Sequence, residues 1–242
     1  MPTNAAAENV LGTIGTICWT VQLVPQIWHT YRTKSVDGLS EYLVLMWGIA
    51  GAFLGPYSIV QNLNIPLILQ PQLFAALCFV SWAQCQYYGH KRSKTASIAM
   101  WLVAISVFAG FEAGMVFALR PSARNGNLAP VRAFGIISTI ILSLSFVDLQ
   151  VKEVIGISLL FMGVDLLGGV FNVLSLVFKG DFDVVAGITY SLVVLLDGLV
   201  LLAAFILNPL AKRRRSRAAR AEAQAASEKK EPDTSEVEKG SA

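Results

Sequence analysis

The sequence predicts an all-α membrane protein of seven transmembrane helices, arranged as two parallel three-helix bundles joined by a linker helix. Three observations carry that expectation. Of 242 residues, 55% are hydrophobic and only 14% charged, against the roughly 25% charged residues usual in a soluble domain. Between Val10 and Leu207 the charges fall in short clusters separated by apolar stretches of about 18 to 25 residues, the length that crosses ~30 Å of hydrocarbon. The third observation is an internal repeat. Gly38-Leu39-Ser40 matches Gly156-Ile157-Ser158, and Gly51 and Phe53 correspond to Gly169 and Phe171 at the same offset. Upstream, Gly12-Thr13-Ile14-Gly15-Thr16-Ile17 resembles Gly135-Ile136-Ile137-Ser138-Thr139-Ile140 at a slightly larger offset.

Residues 1–9 form a short N-terminus without the positive region of a cleavable signal peptide, so the apolar run after it reads as a retained helix. Apolar runs between charges and breakers then give helices near 10–28, 39–60 and 67–89, the first unit, 10–89. A linker helix follows at 96–119, and helices near 132–150, 154–178 and 184–207 make the second unit, 132–207. The linker is required because copies of an odd-numbered unit share one orientation only if a helix inverts the chain between them. After Asn208-Pro209 the composition turns to Ala, Glu, Lys, Arg and Ser, so 208–242 is expected to be a basic tail, disordered or partly helical.

Lysine and arginine set the orientation. The 1–2 connection holds Arg32 and Lys34, the 3–4 connection Lys91, Arg92 and Lys94, and the 5–6 connection Lys152, which puts those ends in the cytosol. Arg120, Arg124 and Arg132 in the 4–5 connection argue the other way. The balance makes the N-terminus lumenal and the C-terminus cytosolic. The run Lys212 to Arg220 after the last helix accounts for the net charge of +3 and reads as a juxtamembrane anchor for anionic lipid headgroups, not a nucleic-acid site.

Cys18, Cys78 and Cys85 form no C-x-x-C pair and lie in apolar runs, so neither a disulfide framework nor a metal site is indicated. The tryptophans Trp19, Trp28, Trp47, Trp82 and Trp101 read as interfacial belts. His29 and His90 have no ligand cluster at metal-binding spacing. Gln84 and Gln86 either line a pathway or bond between helices. Pro71-Gln72 reads as the start of the third helix, where proline is tolerated.

Within the first helix, Pro25 removes a backbone donor and kinks the chain, and Gln22 and Gln26, one turn apart, can turn their amides to one interior surface. The kink is either a hinge for a solute or a structural bend with interhelical hydrogen bonds. Asp165, Asp197 and Glu112 lie deep in apolar runs, where a charged side chain costs roughly 2.5 to 3.5 kcal/mol at the membrane centre. Asp165, Gly168, Gly169 and Asn172 share one helix face that joins an acid, an amide and two glycines. That face is the candidate solute or proton path, with Asp165 and Asp197 as proton carriers; the alternative is an acid bonded to a neighbouring helix for assembly.

Pro25-Gln26 followed by Lys34-Ser35-Val36-Asp37-Gly38-Leu39-Ser40 resembles the first motif of the PQ-loop repeat membrane proteins, and the resemblance spans residues 10 to 207. That family includes lysosomal and vacuolar exporters of amino acids and resembles the SWEET transporters in fold. The resemblance implies that Pro25 and Gln26 are the hinge pair and that Lys34 to Ser40 is the cytosolic connection after it; taken with the buried acids and with Gly38 as a further hinge position, the expected solute or proton pathway runs through Gln22, Pro25, Gln26, Asp165, Asn172 and Asp197. It also implies transport of a small polar solute, amino acids foremost, across a vacuolar, lysosomal or other internal membrane, and that transport is either proton-coupled or facilitative. The second unit departs from the pattern: Asp148 and Leu149 stand where a second Pro-Gln is expected. The alternative is therefore a receptor or trafficking factor that keeps the fold without transporting. No nucleophile and base pair indicates an enzyme, and no cofactor is expected.

Overall fold

A computed structural model describes residues 3–37, 39–147 and 159–228. Gly38, Asp148, Leu149, Lys152 and the segment 156–158 lie outside the described residues, as does the tail from 229 onward. Among the described residues every regular element is helical: α1 Ala5–Val21, α2 Leu23–Thr33, α3 Glu41–Val60, α4 Ile65–Gln84 with a π turn Cys85–Gly89, α5 Lys94–Arg124, α6 Ala129–Val147, α7 Leu159–Val177 and α8 Val184–Glu228. Among the described residues five segments are long and apolar enough to cross a membrane: Ala5–Thr33, Glu41–Val60, Ile65–Gly89, Lys94–Arg124 and Val184–Ile206. The apolar segments Ala129–Ser145 and Phe161–Val177 are shorter.

Local chemistry sets the ends. Asn4, Ser40, Asn64 and Ser93 cap α1, α3, α4 and α5, each side chain accepting a first-turn backbone N–H. Asp183 does the same for α8, accepting from the Ala186 N–H at 3.0 Å. The first membrane segment breaks at Gln22, so Pro25 falls in the first turn of α2, where its missing donor leaves no gap in the helix ladder. Pro71 departs from the expected helix start. The helix begins at Asn64 and Ile65 with Pro66 in its first turn, and Pro71 is buried in the interior of α4, its carbonyl facing Gly51 of α3. A capping asparagine beside Pro66 outweighs the later proline as a start signal.

Around α1 pack α7 and α4; around α3 pack α4, α6 and α5; and α8 packs on α7 and α6. Small residues permit the closest approaches. A Cβ on Gly51 would reach Ala75 Cβ at 3.0 Å and the Pro71 carbonyl at 3.1 Å, and one on Gly169 would reach Val194 Cγ2 at 2.7 Å and the Tyr190 carbonyl at 3.5 Å. Between α6 and α3, Ser138 Oγ donates to the Ala50 carbonyl at 2.9 Å. On α5 only Ser97, Glu112, Val116 and Leu119 are buried, and apolar side chains such as Leu102, Val103, Val107 and Phe117 cover its outer face.

Two tryptophans overturn the interfacial reading. Trp19 and Trp47 are 5% and 3% exposed and stand in the core, with Phe74 between them at 5.9 and 5.6 Å. Both begin about mid-run, and their indoles find buried partners, which is what such a side chain needs away from water. Gln84 and Gln86 make interhelical bonds, to the Ile27 carbonyl at 3.1 Å and to Glu41 at 2.9 Å. His90 meets the same Glu41 carboxylate at 2.8 Å, a pairing that sequence spacing does not reveal. The backbone of 208–228 continues α8, the helical alternative for this part of the tail, in keeping with the high helix propensity of its Ala, Arg and Glu residues.

Candidate functional site

The helix face on α7 supplies the site. Gly168 and Gly169 have no side chain, so α1 and α8 close onto α7. Trp19 of α1 lies across Gly168, and its indole N–H donates to the Asp165 backbone carbonyl at 2.9 Å. Gln22, at the break between α1 and α2, donates its amide N–H to Asp165 Oδ1 at 2.9 Å. From α8, Asp197 stands beside Asp165 within electrostatic reach, and among the described residues no group hydrogen-bonds the Asp197 oxygens. Both acids are buried. Cys78 of α4, also buried, lies within electrostatic reach of Asp165.

Against Asp165 sits a cavity of about 20 Å³, lined also by Trp19, Trp47, Phe74, Leu142 and Val193. It has room for roughly one water molecule. Tyr190 packs edge-on to Trp19 at 5.7 Å, and its hydroxyl is buried without a partner. Trp47 is fixed from the other side, its indole N–H donating to Ser145 Oγ on α6 at 3.0 Å.

Of the residues singled out by sequence, Gln22, Asp165 and Asp197 meet here. Gln26 does not join them: it turns to Thr30 Oγ1 in its own helix at 3.4 Å, and Pro25 is exposed on the outer face of α2. Asn172 is fully buried two turns along α7, seated against Gly15, and among the described residues neither amide atom has a hydrogen-bond partner. Glu112 is remote from the pair, lying against Gly55 beside Gln72. Sequence reasoning missed Trp19, Trp47, Phe74, Tyr57, Tyr190 and Asp183. For the two tryptophans the signal was their depth within the apolar runs.

At the end of the molecule that carries the α3–α4 and α7–α8 connections, the Tyr57 hydroxyl donates to Asp183 Oδ1. Asn64 and Ser175 are joined beside it, Asn64 Nδ2 donating to Ser175 Oγ at 2.8 Å. Outside the first of these bonds opens a polar cavity of about 710 Å³ whose walls include Gln61, Asn62, Arg132, Lys179, Asp181 and Asp183. Its walls carry both signs of charge.

The pattern of the PQ loop repeat family matches residues 7–67, from α1 to the start of α4. An uncharacterized protein of Schizosaccharomyces pombe is 36% identical over 216 residues, which cover 87% of this chain and 76% of that protein. An uncharacterized membrane protein of Saccharomyces cerevisiae is 33% identical over 77% of this chain and 62% of its own length. The vacuolar histidine transporter of the same yeast is 29% identical over 36% of this chain and 30% of its own length. No solved structure matches. With a proline-glutamine pair beside a broken first helix, the matching repeat pattern and these relatives, the chain belongs to the PQ-loop repeat family of membrane proteins.

Proposed function

We propose that this protein carries a small polar solute, with amino acids the foremost class, across a vacuolar or lysosome-like membrane, in exchange with or together with protons. The reading joins the similarity to a vacuolar histidine transporter with one observation: the central cavity is lined by paired positions of the repeat. Carrying the repeat forward pairs Trp19 with Leu142, Gln22 with Ser145 and Trp47 with Asp165. The helix caps Asn64 and Asp183 set the register of the third helices, pairing Phe74 with Val193 and Cys78 with Asp197. The six cavity residues are three of these pairs.

Hydrogen bonds obey the same exchange. Gln22 to Asp165 is matched by Trp47 to Ser145, and Tyr57 to Asp183 by Asn64 to Ser175. Gly51 against Pro71 and Ala75 is matched by Gly169 against Tyr190 and Val194. These pairings support two parallel three-helix units, α1 to α4 and α6 to α8, related by an axis along the membrane normal with α5 as the linker. The cavity lies on that axis, where alternating access requires a solute to bind. The N-terminus is then lumenal and the C-terminus cytosolic, and the polar 710 Å³ cavity is the lumenal vestibule.

In this reading the Tyr57–Asp183 and Asn64–Ser175 bonds close the lumenal side, and the one-water cavity is the occluded form of the site. Two adjoining carboxyls in a dry setting repel unless a proton lies between them. Gain or loss of that proton changes how Asp165 holds Gln22, the last residue before the Pro25 segment, and so couples proton to hinge. Gln22, Asp165 and Asp197 form the pathway, with Gln26, Asn172 and Gly38 as further members to be tested. In proteoliposomes, uptake from a panel of amino acids should rise with an acid-side gradient, and Asp165→Asn should remove the gradient's effect. Gradient-driven uptake that survives the substitution removes Asp165 from the mechanism, and no uptake of any member of the panel refutes amino-acid transport.

A further inference from the structure

We propose that the crevice between the ends of α2 and α4 and the start of α5 binds one anionic phospholipid from the surrounding leaflet. The crevice encloses about 340 Å³, within the range of roughly 300–1,000 Å³ usual for small-molecule sites. Its walls are almost wholly apolar, with Tyr31, Val80, Ala83, Tyr87, Ile98 and Trp101 among them. Tyr31, Tyr87 and Ile98 are partly exposed, so the groove opens outward to the lipid and not into the bundle.

Among the described residues, three buried polar atoms in that apolar wall lack partners. They are the Ser97 hydroxyl, whose residue is 4% exposed, the Trp101 indole N–H and the Gln84 amide oxygen. Buried donors without acceptors call for a ligand that brings them. Two donors set among aromatic and aliphatic side chains fit the ester carbonyls of a glycerolipid whose chains lie along the groove. A free polar solute would leave that wall unsatisfied.

Charge at the mouth selects the headgroup. Lys94, the first residue of α5, lines the groove, and Lys34 holds its ammonium 3.8 Å from the Tyr31 ring centroid and 3.3 Å from the Tyr88 hydroxyl. Neither lysine is paired with a carboxylate among the described residues, because Glu41 at the same end is occupied by His90 and Gln86. Lys91 and Arg92 add to the positive charge of this end, which sits at the height of the headgroups. A phosphate between Lys34 and Lys94 would tie α2, the segment beyond the break at Gln22, to the linker helix. The assignment needs only a membrane-embedded chain and stands apart from the transport reading.

Native mass spectrometry of the full chain in detergent, with added phosphatidylserine or phosphatidylcholine, tests it. The wild type should retain one phosphatidylserine at a lipid concentration about tenfold lower than it needs for phosphatidylcholine, and Lys34→Ala with Lys94→Ala should bring the two together. Both lysines are exposed, so this variant keeps its fold. Ala83→Phe, which fills the groove, should abolish the retained lipid of either kind. An undiminished preference in the lysine variant, or a retained lipid in Ala83→Phe, overturns the proposal. Full displacement of the lipid by glycerophosphate would reduce the site to a phosphate site and overturns it as well.

Discussion

Replacing Gln22 and Asp165 singly and together measures whether the site is held by one specific bond. In Gln22→Leu the carboxyl loses its side-chain amide donor at 2.9 Å, and in Asp165→Leu the buried amide N–H loses its acceptor. Orphaning either buried group costs about 1–3 kcal/mol, so each single variant should be destabilised by that order. The pair should show a coupling of about 1–2 kcal/mol: hydrogen bonds between membrane helices average ~0.6 and reach ~1.7 kcal/mol, and a carboxyl acceptor belongs at the upper end. Trp47→Phe with Ser145→Ala is the internal comparison, a bond of neutral groups at 3.0 Å, and should couple by about 0.6 kcal/mol. Unfolding of the purified protein by SDS in mixed micelles gives all the terms. Additivity of Gln22 and Asp165 within about 0.5 kcal/mol would refute the bond as an organising contact.

Two further outcomes follow from packing and from the lumenal bond. Gly168→Ala puts a methyl group into the Trp19 indole, so it should cost about 1–3 kcal/mol and shift the tryptophan fluorescence, whereas Gly163→Ala, with nothing within 4 Å, should do neither. Tyr57→Phe removes the hydroxyl that binds Asp183, and Thr189→Cys in that background should react faster with a membrane-impermeant maleimide than in the Tyr57 protein; equal rates would refute Tyr57 as a closure.

The helical segments were legible because hydrocarbon imposes a length on every apolar run, and their ends were legible where a cap or charge stands, as at Ser40 and Ser93. Depth along a helix singled out Asp165 and Asp197, since a carboxyl in hydrocarbon must meet a cavity, a partner or a proton. Direction around the helix was harder. Gln22 and Gln26 are a turn apart, yet the break falls at Gln22 itself and turns the following segment so that Gln26 points elsewhere. Partners far along the chain, such as Tyr57 with Asp183 or Glu41 with His90, carry no spacing signal at all. Pro71 misled because proline marks a helix start in water more reliably than in a membrane, where neighbours accommodate it in the interior.

In the proposed pairing of two three-helix units, the matched positions around the cavity differ in kind. Where one side lines it with Asp165, beside Asp197, the other lines it with Trp47, and Cys78 stands at the position that pairs with Asp197. A perfectly duplicated pore would treat both ends of a guest alike, but this one sets carboxyls opposite an indole and a thiol. Any molecule admitted at that level would therefore be held one way round, its charged head and its hydrocarbon flank told apart by which half of the repeat each one faces.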